Sequence, residues 1–252
     1  IAFGSIFATT ISAGAISVSG ADGALAYSTA LPYGVTRLLT GLVFCLGLIL
    51  VVVGGAELFT GNNLIVMAWA SKKVSTSALL RNWVIVYIGN FIGAVGTAVL
   101  MFFSKQYTFG ADAVGISALR IAVSKSELDF VQAIALGVLC NVLVCLAVWL
   151  TFSARTTLDK IASIIFPITA FVAAGFEHSV ANMYFIPYAL FVKMFDSEFI
   201  SRVGERVANL DSLTWQAFFV NNLIPVTIGN IIGGAVFVAA IYWVVFLRGK
   251  KA

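Results

Sequence analysis

Charged positions are so sparse along this chain that the gaps between them are the first signal. Residues 1–21, 82–104 and 130–154 carry no charge, and each gap suits a membrane helix, which needs about 20 mostly apolar residues. Two longer apolar runs, 38–71 and 161–192, each contain a single charge, Glu57 and Glu177. Both exceed one ordinary span, so each is expected to break near its carboxylate. Residues 212–247 are also uncharged, and the last span is expected to begin near Val220. The pattern predicts an all-α membrane protein with six transmembrane helices, the second and fifth broken.

The breaks echo each other. Gly55-Ala56-Glu57-Leu58-Phe59-Thr60-Gly61-Asn62 and Gly175-Phe176-Glu177-His178-Ser179-Val180-Ala181-Asn182 both read G-x-E-x4-N. A second pair reads N-x6-G-N-x2-G: Asn82, Gly89-Asn90 and Gly93 against Asn222, Gly229-Asn230 and Gly233. Ile1-Ala2-Phe3-Gly4 resembles Ile134-Ala135-Leu136-Gly137. Three matches in the same order predict two three-helix repeats, about 1–104 and about 128–248, within one transmembrane domain spanning 1–252. Three is odd, so tandem copies face opposite ways, an inverted repeat of the kind that carries transport sites at its broken helices.

Composition sharpens this reading. The chain is 61% hydrophobic and 10% charged, against roughly 25% charged in soluble domains, and its mean hydropathy is +1.03. The formal charge of +4 is therefore no sign of nucleic-acid binding and belongs to the loops. One set of loops holds Lys72, Lys73, Arg81, Arg155, Lys160, Arg248, Lys250 and Lys251 with one acid, Asp159; the other set mixes seven bases with eight acids. The first set lies in short turns, which places that side, with both termini, in the cytoplasm. The absence of an initiator Met and of a basic n-region points to a trimmed core without a cleavable signal peptide. Cys45, Cys140 and Cys145 sit in apolar runs with no metal-ligand spacing, so neither metal nor cofactor is expected.

A broken span leaves N–H and C=O groups free at membrane depth, tolerable only against protein or a water-lined cavity. Half-helix N-termini favour anions. Thr60 adds a hydroxyl, and His178, the single histidine, adds a titratable ring. A buried histidine is ordinarily satisfied by backbone; one on a break beside a carboxylate points to proton donation or charge compensation. Glu57 and Glu177 would repel an anion, so they are expected to accept hydrogen bonds from loop N–H groups and hold the breaks. Asn62, Asn182, Asn90 and Asn230 are expected to tie helices together. Leu58, Phe59, Phe44, Leu48 and Phe171, on or near the breaks, are either packing residues or dewetting constrictions. No nucleophile–base spacing points to an enzyme.

Glu57-Leu58-Phe59-Thr60-Gly61, the stretch Gly175 to Met183 and the stretch Asn222 to Asn230 resemble the signatures of the formate/nitrite transporter family. The likeness is strongest to the bacterial formate channels and extends to Phe44, Leu48 and Cys140-Asn141 to Trp149. The resemblance implies an aquaporin-like fold and a homopentamer in a bacterial inner membrane, with one formate-conducting pore per protomer. It implies that Thr60 faces His178, that Leu58 with Leu48 and Phe44 with Phe171 form the cytoplasmic and periplasmic constrictions, and that Lys125 and Asn141 attract or coordinate the anion. Nitrite and hydrosulfide channels of the same family, and a neutral-solute pore, are the rival readings. The paired Asn-Pro-Ala motifs of the last are missing.

Overall fold

The computed structural model describes residues 1–15, 18–19, 25–27 and 31–249. Helix α1 (Ala2–Ser12) ends in a 3-10 turn (Ala13–Ala15), and a two-strand ribbon, β1 (Val18–Ser19) with β2 (Leu25–Tyr27), precedes α2 (Tyr33–Val52). The first uncharged stretch, expected to be helical to residue 21, is helical only to Ser12. Beyond it, Ser12, Gly14, Ser17, Ser19, Gly20 and Gly23 crowd a short interval, and both residue types are poor helix formers. Residues 20–24 of that interval, with Asp22, lie outside the described residues.

The second span breaks as expected. After α2 the chain runs irregularly to a 3-10 turn (Gly61–Leu64) and the short α3 (Ile65–Ala70). Next comes α4 (Thr76–Phe103), starting six residues before the charge gap because Ser75 caps it, accepting from the Ala78 N–H at 3.2 Å. After α6 (Phe130–Thr151) come α7 (Thr157–Ala174), a break over residues 175–178, and α8 (Ser179–Phe195). Asp129 caps α6, and Thr156 with Asp159 forms a reciprocal capping box at α7, each satisfying N–H groups that a helix start leaves free. A short α9 (Ser197–Val203) leads to a final rod, Ala217–Leu247, that starts three residues ahead of Val220. The rod is π-helical in part and α-helical over Ile224–Ile231, named α10.

A helix that the charge gaps hid lies in the connection between the halves. Residues 105–129 read as a loop by their charges, yet α5 (Ala113–Ser126) runs through them and ten of its residues are buried. Val114, Ile116, Leu119 and Val123 are buried, while Arg120 and Ser124 stay exposed.

Among the described residues, five helices are long and apolar enough to cross a membrane: α2, α4, α6, α7 and the final rod. They pack as α2 on α7, α6 on α10 and α7, and α4 on α8, with α5 seated against α8. Ile88, Ile92 and Leu100 on α4, Phe166 on α7 and Val245 on the rod are exposed, an outward apolar face that a bilayer would cover. Gly229 marks a close approach: a methyl there would collide with the Ile134 carbonyl and lie 3.0 Å from the Gly137 Cα. The interior instead holds the polar residues of the two breaks.

Candidate functional site

Each break is held by the same four hydrogen bonds. In the first, Asn62 Nδ2 donates to Glu57 Oε2 at 2.5 Å and to Asn82 Oδ1 at 2.9 Å. Asn90 donates to the Glu57 carbonyl at 3.0 Å and accepts from the Phe59 N–H at 2.9 Å. In the second, Asn182 Nδ2 donates to Glu177 Oε2 and to Asn222 Oδ1, both at 2.7 Å. Asn230 donates to the Glu177 carbonyl at 3.0 Å and accepts from the Ser179 N–H at 2.9 Å. The carboxylates do accept hydrogen bonds, but from asparagine side chains rather than the expected loop N–H groups. The reason is geometric: an amide on the helix one turn beyond the break reaches back across it, and a second asparagine from a neighbouring helix locks it.

The circuits differ in charge. Glu177 is buried and its Oε1 meets Lys125 Nζ at 2.6 Å, with Asn222 adding a bond to Oε2 at 3.2 Å. Glu57 is exposed and has no cationic partner among the described residues.

The breaks bring Thr60 and His178 together. Thr60, fully buried, precedes the 3-10 turn of the first break; His178 caps α8 at the second. Their Oγ1 and Nε2 atoms lie 2.9 Å apart. His178 Nδ1 accepts the Ala181 N–H at 3.1 Å, so in the neutral ring the proton resides on Nε2 and is donated to Thr60 Oγ1. The Thr60 hydroxyl proton is then free for another acceptor. The Thr60 carbonyl is held from behind by Asn141 Nδ2 at 3.2 Å and Cys145 Sγ at 3.3 Å, one turn apart on α6.

Cavities flank this pair. The one on the His178 side, outer in the expected orientation, has about 290 Å³ and is lined by His178, Phe171, Phe44, Lys125, Glu177 and Arg37. At its floor Phe44 meets Phe171 edge-on at 5.6 Å, and Phe171 stacks on the His178 ring at 6.1 Å. The inner cavity, about 410 Å³, is lined by Glu57, Leu58, Asn62, Val51, Val148 and Thr151. Leu48 and Leu58 are buried in one apolar cluster. Phe59 turns away from the pair, its ring edge-on to Tyr87 at 4.9 Å and Trp83 at 6.0 Å of α4.

Lys125 reaches the outer cavity while bound to Glu177. Both amide donors of Asn141 are spent on carbonyls, those of Thr60 and Asn230. Sequence reasoning passed over Arg37, whose guanidinium donates Nε to the Ala173 carbonyl at 3.0 Å and Nη2 to that of Val172. These carbonyls lie in the last turn of α7, which Gly175 ends at φ +79°; that of Val172 also accepts the Gly175 N–H at 3.1 Å, and a cation there suits the helix dipole. Its signal was a single charge just inside an otherwise apolar helix. Among the described residues no cluster of three or more metal-ligating side chains occurs.

The sequence model described as Formate/nitrite transporter matches residues 1–244. The chain is 45% identical to the formate channel FocA of Escherichia coli strain K12, over 86% of this chain and 77% of that protein. It is 36% identical to the formate channel BtFdhC of Bacillus thuringiensis, over 84% and 74%. A solved structure described as a pentameric formate channel with formate bound superposes with a TM-score of 0.86 at 44% identity, covering 98% of this chain and 92% of that one. An ion channel of the same family superposes at 0.72 with 26% identity, covering 97% and 87%. Matched over nearly its whole length in sequence and in fold, the chain belongs to the formate/nitrite transporter family.

Proposed function

We propose that this chain is a channel for formate and related small monovalent anions, not an enzyme, and that it works as a homopentamer with one pathway in each protomer. The observation that carries the proposal is the 2.9 Å contact of Thr60 and His178 at the meeting of the two breaks, between an outer and an inner cavity. Relatives at 45% and 36% identity named as formate channels, and a pentameric neighbour with formate bound, supply the substrate and the assembly.

The architecture that goes with it is aquaporin-like: six helices, arranged as inverted repeats of about 1–104 and about 128–248. The matched four-bond circuits at Glu57 and Glu177 support it. The membrane is a bacterial inner membrane, and both termini face the cytoplasm; the short basic turns around Lys72, Lys73 and Arg155 support that orientation. Phe44 with Phe171, and Leu48 with Leu58, are the apolar narrowings on either side of the pair. Phe59, packed on α4, anchors the first break.

Mechanistically, an anion leaves water at an apolar ring, which costs many kcal/mol for a full charge but little for a neutral acid. The free Thr60 hydroxyl proton and the start of α8 compensate the charge in the middle. A doubly protonated His178, with a second proton on Nδ1 in place of the bond from Ala181, can pass its Nε2 proton to the anion and return to a neutral ring, so that the neutral acid crosses the rings. Lys125 and Arg37 draw anions into the outer cavity. Asn141 acts through the Thr60 carbonyl, and Glu57, Glu177, Asn62 and Asn182 hold the breaks.

Flux of formate, nitrite and hydrosulfide into proteoliposomes between pH 5 and 8 tests this reading, with wild type beside His178→Phe. Formate flux with a pH profile that the variant flattens is the expected result. Equal flux of all three anions reduces the claim to a small-anion pore, and swelling with glycerol but no anion flux overturns it.

A further inference from the structure

The two break circuits share four bonds, and the second adds one from Asn222 and one from a cation; only the latter changes the charge. Glu177 has Lys125 against it at 2.6 Å, whereas Glu57 faces only the amide of Asn62. An amide satisfies one oxygen but leaves the unit charge in place, so a glutamine at position 57 would hold the break as well. Glu57 is also the one ionisable side chain among the described residues lining the inner cavity. It lines a second, narrower crevice of about 230 Å³ between α1 and α4, again without another charged side chain. The outer cavity has the opposite balance: Arg37 and Lys125 against Glu177. A pathway between them runs from a positive mouth to a negative one.

We propose that Glu57 is a charge barrier at the inner mouth, slowing the access of anions from that cavity and making anion flow unequal in the two directions. The inference rests on the anion-channel reading above and adds to it a specificity-determining residue. A carboxylate in a cavity with low-dielectric walls acts on a passing anion more strongly than one on open surface. Because Glu57 is exposed to the water of that cavity, added salt screens it.

Single-channel currents in planar bilayers, with formate as permeant anion on both sides, test the idea. The size of the rectification ratio does not depend on which way a channel inserts. Wild type should rectify at low ionic strength, and Glu57→Gln should lower the ratio at least about twofold by raising the smaller limb. An impermeant salt at about 1 M, with a screening length near 3 Å, should bring wild type close to the variant. Glu57→Asp should keep the wild-type ratio. Equal thermal unfolding of wild type and Glu57→Gln separates the charge from the clamp. The same ratio in wild type and Glu57→Gln at low salt overturns the proposal while leaving the channel reading intact. No anion current from wild type overturns both.

Discussion

His178 is tied on both ring nitrogens, and this decides which neighbour can do what. With Nδ1 accepting from Ala181 and Nε2 donating to Thr60, the threonine hydroxyl is the donor left for an anion. Thr60→Val, close in shape, should therefore lower formate flux about tenfold, the equivalent of one good hydrogen bond, with the protein still folded by circular dichroism. The Lys125–Glu177 pair makes a sharper case. Lys125→Met strands a buried carboxylate and should cost about 3–5 kcal/mol of stability, whereas Lys125→Met with Glu177→Gln should recover most of it. Chemical unfolding in detergent measures both; equal losses in the single and double variants would dismiss the pairing as the cause. At this scale the reading from the letters went far. Thr60 and His178 stood out because one is the sole histidine and both lie on matched breaks. The tasks of Arg37 and Asn141 did not, because which carbonyl a donor meets depends on helices 81 to 136 residues away.

Among the elements, the matched glycines have opposite surroundings. Gly229 lies against the backbone of α6, and a methyl added there has no room beside Ile134 and Gly137. Gly89, its counterpart in the repeated pattern on α4, has nothing within 4 Å of an added methyl. Gly229→Val should lower the unfolding temperature sharply, by the equivalent of about 1–3 kcal/mol or more, and Gly89→Val should leave it unchanged. Charge gaps located the broken spans, since an interrupted apolar run is a local property. They missed α5, which lies in the charged connection and packs mainly against α8 and α1. Arg120, Lys125 and Glu127 in and beside it gave that helix the look of a loop.

For the whole molecule, the end that carries α5 and α9 is fastened by polar bonds where the apolar packing ends. Tyr107 donates to Asp196 at 2.6 Å, and this bond holds the Asp196 carboxyl below the usual carboxylate range. A depressed acid contributes stability above its unfolded pKa, about 3.9, and loses it as pH falls through the folded value. Tyr107→Phe should thus unfold earlier than wild type at pH 7, and the gap should start to narrow below about pH 4 and go on shrinking as pH falls further. A gap that persists at acid pH would assign the loss to packing against Phe102 and Phe199 instead.

The connection between the halves has a consequence for how the chain could be divided. Lys105, Gly110, Ala111 and Asp112 all take left-handed backbone angles, φ +51° to +68°, in a turn where Lys105 is exposed. Every bond of the first circuit lies before that turn, and every bond of the second, Lys125 included, lies after it. A protein nicked after Lys105 by trypsin would keep both clamps whole. Two fragments, 1–105 and 106–252, made as separate polypeptides in one membrane, should find each other, and the Thr60–His178 contact would exist only in the reunited pair. Transport recovered on co-expression would then report on reassembly itself.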